Sequence, residues 1–475
     1  MPRSLGFQAP ATALGYVAAA GMYVLTRALR NRVPHFSRGF LISSLVLLFY
    51  TTLRLHFFVA EPAIGNRWAA VALLLVVVAF FFVEAVIRRS QALAAMSLVL
   101  LLTTALLADQ TRLTLSLLNL SGMAAVCLAL WKGWYRSLNF AVPAVYLAHL
   151  VWLWGNPIAG NPLRVADDPQ YSLVHLFGYF AAIFVATLFG EKRCPGLVTR
   201  WTGMTLNCLG LTALVGFSVL AFYREDFSGV FLGFAGLVLA ASVVQWAQTH
   251  HDWIPSVYAA FGYMGLTVAI YGYTGPPEAF LWLALQSLLV VSMSLWFRSR
   301  LLVVLNSLIF LGILLAYLAV SPLSDAVNLG FAFVALASAR IMNWQKERLT
   351  LKTEMLRNVY LAVLFGMMLY ALGHALPQNY TALAWTAAAA AYFLLSLLLH
   401  NIKYRWMSVL TLLATVLHLI FVDLRHLEPG YRVAAFLFLG VMALTISLFY
   451  AKLRSMVSKT ETADEENDRT NRSPA

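Results

Sequence analysis

Residues 68–108 read WAAVALLLVVVAFFFVEAVIRRSQALAAMSLVLLLTTALLA. Two apolar runs, 68–87 and 91–108, flank the pair Arg88-Arg89. Each run is close to the roughly 20 residues that a helix needs to cross the hydrocarbon core of a bilayer. The stretch therefore reads as a transmembrane hairpin whose tight turn is positively charged. Glu84 lies one helical turn before the arginines, at the spacing that pairs a glutamate with Arg88 on one helix face.

The same arrangement recurs along the whole chain. Spans are expected at 9–26, 40–60, 68–87, 91–108, 113–131, 138–155, 171–190, 202–222, 228–247, 255–273, 279–296, 301–320, 325–340, 358–375, 380–399, 406–423 and 432–451. The fold class is thus all-α: a polytopic membrane protein of about seventeen transmembrane helices built from repeated hairpins. A lipid-exposed open sheet is excluded, because its backbone polar groups would find no partners in hydrocarbon. Residues 1–454 form the membrane domain, and the polar, acidic segment 455–475 reads as a disordered cytoplasmic tail.

Alternate loops are basic. Of the 33 Lys and Arg residues, these boundaries put 25 on one side, seven on the other and one, Arg54, inside a span. Short loops rich in Lys and Arg stay cytoplasmic. This implies an N-terminus outside and a C-terminus inside. The segment Ala11–Leu25 resembles a signal peptide. However, its positive charge follows the apolar core rather than preceding it, so it reads as a retained first span.

With 61% apolar and 11% charged residues, the composition lies far from that of soluble domains, which are roughly 45–50% apolar and about 25% charged. The net charge of +13 is absorbed by the loop bias and calls for no nucleic-acid partner. Cys127, Cys194 and Cys208 have no CxxC spacing, and two of them fall inside spans, so no disulfide framework is expected.

Tyr135-Arg136, Phe297-Arg298 and Tyr404-Arg405 each open an outward-going span, at spacings close to multiples of a 54-residue hairpin. His149 and His418 each follow such an arginine by thirteen residues. Duplication of a hairpin unit explains this. So does simple regularity, with aromatic-Arg pairs anchored at the inner interface.

Ionisable groups inside spans are costly and mark functional candidates. Arg54 is expected within a span near its outer end, seeking an outer acid among Glu61, Asp109 and Asp423. His56, His149, His175, His374, His418 and His426 fall toward the same outer boundary. Arg54, His56, His149, His418 and Asp423 are therefore the candidate ligand-binding residues, suited to a lipid headgroup or an anionic small molecule. The competing reading of each is a snorkelling or hydrogen-bonded structural residue. No pair has the HxxxH or HxxE spacing of a metal site, so no metal or other cofactor is expected. The mid-span amides Asn207, Gln245, Gln286, Asn306 and Asn328 read as interhelical glue. Gly233, Gly236, Gly262 and Gly265 read as points of close helix approach, and Trp152, Trp154, Trp246, Trp253 and Trp344 as interfacial belts. No phosphate loop, HExxH or GxSxG in context is present, and no catalytic residue is assigned.

The C-terminal stretch HLIFVDLRHLEPGYR (418–432), followed by FLFLG (436–440) and YAKLR (450–454), resembles the end of a family of uncharacterised bacterial multi-pass membrane proteins. The resemblance covers about 40 residues and implies a bacterial inner membrane, with no activity attached. The leading expectation is a non-enzymatic, transporter-like or lipid- or envelope-associated protein with an outward-facing polar site. An intramembrane enzyme acting on a lipid-linked substrate and a scaffold of an envelope complex stay open.

Overall fold

The computed structural model describes residues 8–29, 32–59, 62–166, 170–190, 196–248, 254–296, 300–344, 354–399, 401–423, 430, 433–445 and 447–448. Among these there are seventeen α-helices and no strand. In order they are α1 (Gln8–Leu29), α2 (Pro34–Leu53), α3 (Arg67–Ile87), α4 (Gln91–Ala108), α5 (Thr111–Lys132), α6 (Tyr135–Leu153), α7 (Gln170–Phe189), α8 (Leu197–Phe222), α9 (Phe227–Gln248), α10 (Ile254–Thr274), α11 (Glu278–Trp296), α12 (Arg300–Val320), α13 (Asp325–Trp344), α14 (Glu354–Ala375), α15 (Gln378–Leu399), α16 (Ile402–His418) and α17 (Val433–Thr445). Thirteen are long and apolar enough to cross a membrane; α1 and α6 fall outside that set, and α11 and α17 are apolar but shorter. The polytopic all-α expectation holds. The tail 455–475 lies outside the described residues.

Helix surfaces carry the mark of a lipid solvent. In α3, Leu74, Phe81 and Ala85 are fully buried, whereas Val76, Val83 and Ile87 are more than half exposed. An exposed stripe of Val and Ile is costly in water but neutral against acyl chains.

The chain separates into two compact units, Met1–Gly272 and Tyr273–Ala475, a division that the sequence reading of 1–454 does not make. In the first unit α4 is the central element, packed on α3, α5 and α6, with 61% of its span buried. Around it α1 packs on α2, α5 on α7, and α6 and α7 on α8. In the second unit α11 packs on α12 and α13, α13 on α14, and α15 on α14 and α16. Its core is aromatic, with Phe310, Tyr317, Phe331 and Tyr360 in mutual ring contact.

Close helix approach occurs where two of the four glycines predicted it. A Cβ on Gly262 or Gly265 would stand 2.7 Å from Leu239 or 2.4 Å from Phe234, so α10 can lie on α9 only because those positions lack one. Gly233 and Gly236 have open space around them. Trp152 is buried inside the first unit rather than placed at an interface, whereas Trp154 and Trp344 are exposed as belts require. Trp253 lies outside the described residues. Tyr135 and Tyr404, expected as interface anchors, are both buried. Phe297-Arg298 lies outside the described residues.

Helix ends follow local chemistry. Pro34, with its φ pre-set for a helix, opens α2 six residues before the expected span. About 20 residues later the helix is complete and stops at Leu53. The α3–α4 junction is a Schellman turn: Ser90 N–H donates to the Ala85 carbonyl and Arg89 N–H to that of Val86. Ser90 then caps α4, its Oγ accepting from the Leu93 N–H at 3.4 Å. The residue at the left-handed position of this turn is Arg89, with φ +51°. Glycine is usual there, because a side chain costs roughly 1–2 kcal/mol in that conformation.

Candidate functional site

The residues predicted for an outward-facing site occupy unlike environments. Arg54 is a correction: it is not inside a span but caps the end of α2, exposed, with its guanidinium 6.0 Å from the Tyr50 ring centre. Asp109, one of its expected partners, instead pairs with Arg67 at 3.4 Å and accepts from Asn156 and Asn161 at 2.8 and 2.9 Å. Glu61 lies outside the described residues. His56, half-buried in the turn after α2, shares a 2.7 Å hydrogen bond between Nδ1 and the Ile64 carbonyl.

His149 is fully buried, and both ring nitrogens are taken. Nδ1 lies 3.1 Å from the Tyr179 hydroxyl and Nε2 2.9 Å from Ser172 Oγ, which in turn meets Ser218 Oγ at 3.4 Å. Nearby, Tyr146 donates to Asn207 Oδ1 at 2.8 Å, and Asn207 donates to the Phe180 carbonyl at 3.3 Å. These bonds stitch α6, α7 and α8 together inside an apolar core. Each polar group in hydrocarbon needs a partner, and here they partner one another.

His418 belongs to the second unit, half-buried against Trp385 at the end of α16, where a π-helical turn, Leu419–Asp423, begins. The Asp423 side chain and His426 lie outside the described residues. His175 bonds Asn119, and His374 pairs with Asp325 at 2.9 Å. Among the described residues, no hydrogen bond or ion pair joins any two of Arg54, His56 and His149. No cluster of potential metal ligands is present among the described residues.

A cavity lies at the other end of the first unit, where the basic loops are. It is a cleft of about 960 Å³ between the start of α2, the end of α3 and the start of α4. Its polar lining is Arg38, Arg88 and Arg89 with Ser37 and Ser90. Leu41, Ile42, Ile87, Leu93 and Met96 form its apolar walls. From Ser90 to Met96 the wall runs about 9 Å along the helix axis.

Charge on this lining is only partly compensated. Arg88 Nε donates to Glu84 Oε2 at 2.7 Å, confirming the i,i+4 pair read from the sequence. Glu84 also accepts from the Tyr23 hydroxyl on α1, and the Arg27 guanidinium stacks 5.2 Å from the Tyr23 ring centre. Glu84 is thus spent on Arg88 and Tyr23. Arg38 and Arg89 are exposed, and neither has a carboxylate partner among the described residues. The first turn of α4, whose peptide dipoles present roughly half a positive charge, has no acidic residue. Two guanidiniums without a carboxylate partner among the described residues, a helix start and an apolar trough match the chemistry of an anionic head with a hydrocarbon tail.

The sequence shows these arginines but points to a candidate site on the opposite, outer side. The signal was present in the doublet Arg88-Arg89; what could not be read was that Arg89 occupies a position suited to glycine. No family model, no curated protein and no solved structure matches the chain.

Proposed function

We propose that the protein is a lipid-associated factor of the bacterial inner membrane, with its basic loops in the cytoplasm. In this reading it holds an anionic amphiphile in the α2–α3–α4 cleft. The positive-inside bias of 25 basic residues supports the orientation. The C-terminal resemblance supports the bacterial membrane. The cleft itself carries the functional reading: Arg38 and Arg89, neither with a carboxylate partner among the described residues, line the same cavity as an apolar trough. The outward-facing polar site expected of the transporter-like and lipid-associated readings alike is replaced in this proposal by the cleft on the basic side. The lipid-associated reading is the one that uses this cavity.

The test is lipid retention. Protein purified in neutral detergent is incubated with equal amounts of phosphatidylglycerol and phosphatidylcholine, and bound lipid is counted by native mass spectrometry. Phosphatidylglycerol is expected to be retained preferentially. The R38Q variant should retain about fivefold less, since a basic residue near anionic lipid contributes about 1 kcal/mol. Equal retention of the two lipids, or unchanged preference in R38Q, would remove the proposal.

A further inference from the structure

The second unit has its own cationic focus, built from different elements and separate from the cleft. Near the end of α13 are Arg340 and Asn343; in the first turn of α14 is Arg357; at the start of α16 are Asn401, Lys403 and Tyr404. These six side chains line one small niche whose free space, about 10 Å³, is that of a single water-sized atom. Arg340 is exposed, so the niche is open at its outer end.

The bonds already made fix the niche without neutralising it. The Arg357 guanidinium donates to Asn343 Oδ1. Lys403 Nζ donates to Glu354 Oε1 at 2.9 Å and to Asn358 Oδ1 at 2.8 Å, and Lys403 N–H donates to Asn401 Oδ1 at 3.0 Å. Glu354 is the one carboxylate paired with these cations among the described residues, and its side chain is 69% exposed, where water screens it. Two of the three cations also stand in the first turns of α14 and α16, the positive ends of those helices.

Three cations, two helix starts and one solvated carboxylate leave positive charge in excess around a space that admits one atom. Guanidinium forks and a hydroxyl surround it. We propose that this niche binds a phosphate group by one of its oxygens, tying α13, α14 and α16 together at the basic face. The phosphate is either a free ion or the headgroup of a lipid; the recognition chemistry is common to both.

The experiment uses the full-length protein, delipidated in neutral detergent. Apparent melting temperature is measured in sodium phosphate, in sodium chloride at equal ionic strength, and in chloride with added phosphatidylglycerol. Phosphate is expected to raise the midpoint by about 3 °C over chloride at saturation. A rise with phosphatidylglycerol alone assigns the phosphate to lipid. The R340Q variant should lose the rise, while its midpoint in chloride is unchanged or higher because like charges are relieved. R340K, which keeps the charge but not the fork, should keep part of the rise and guards against a folding defect in R340Q. The R89G variant of the first unit should keep the whole phosphate rise, so the niche and the cleft can fail separately. Equal midpoints in all three media, or a full phosphate rise in R340Q, would overturn the proposal.

Discussion

Both units gather arginines at the basic end, but they leave different amounts of room. In the first, a two-residue Schellman turn pins Arg88 and Arg89 at one junction, and the neighbouring α2 stands off, leaving about 960 Å³ with apolar walls. In the second, cations from three helices converge on about 10 Å³ with hydrogen-bonding walls. On the two proposals, the same residue type serves two chemistries. Room and an apolar trough suit an amphiphile; tight convergence suits a single anionic atom. The helices around the charge set which of these applies.

The comparison can be broken most forcefully in the core beneath the cleft unit. H149A would leave the buried Tyr179 and Ser172 hydroxyls short of a partner, at a cost of about 2–3 kcal/mol. The apparent melting temperature should fall by about 5–10 °C. An unchanged midpoint would mean that the network does not hold α6, α7 and α8. Next is E84Q, which weakens the links to Arg88 and Tyr23 beside the cleft. A loss of about 1 kcal/mol is expected, together with tighter retention of anionic lipid because Arg88 is freed. Weaker retention would show that Arg88 must stay fixed to serve. The smallest effect belongs to the opposite end, where D109N keeps a residue suited to the left-handed conformation and loses only a half-exposed pair with Arg67. Its midpoint should move by no more than about 0.5 kcal/mol equivalent; a larger fall would make that end more than a solvated rim.

Much of the fold was legible because lipid imposes a simple rule: apolar runs of fixed length separated by charged turns. The Glu84–Arg88 pair was legible too, being local to one helix, as were Asn207, Asn306 and Asn328 as hydrogen-bonding glue within the bundle. Arg54 was misplaced because the first turn of α2 contains Arg38. The sequence reading began the span beyond that charge, although an arginine near a helix end can keep its head in water. Starting at Pro34 moves the end to Leu53 and frees Arg54 from the helix. The cleft was not legible at all. Helices apolar on all faces carry no periodic sign of which side meets a neighbour, and Tyr23 meets Glu84 across 61 residues.

R89G is the most direct test of the central claim, because it separates binding from folding. Glycine suits the left-handed position of the α3–α4 turn, so the variant should melt no lower than the wild type, with a gain of up to about 1 kcal/mol. Its retention of phosphatidylglycerol over phosphatidylcholine, measured on the same preparation, should fall about fivefold. A variant that melts as high as the wild type and still retains phosphatidylglycerol in full would contradict the account.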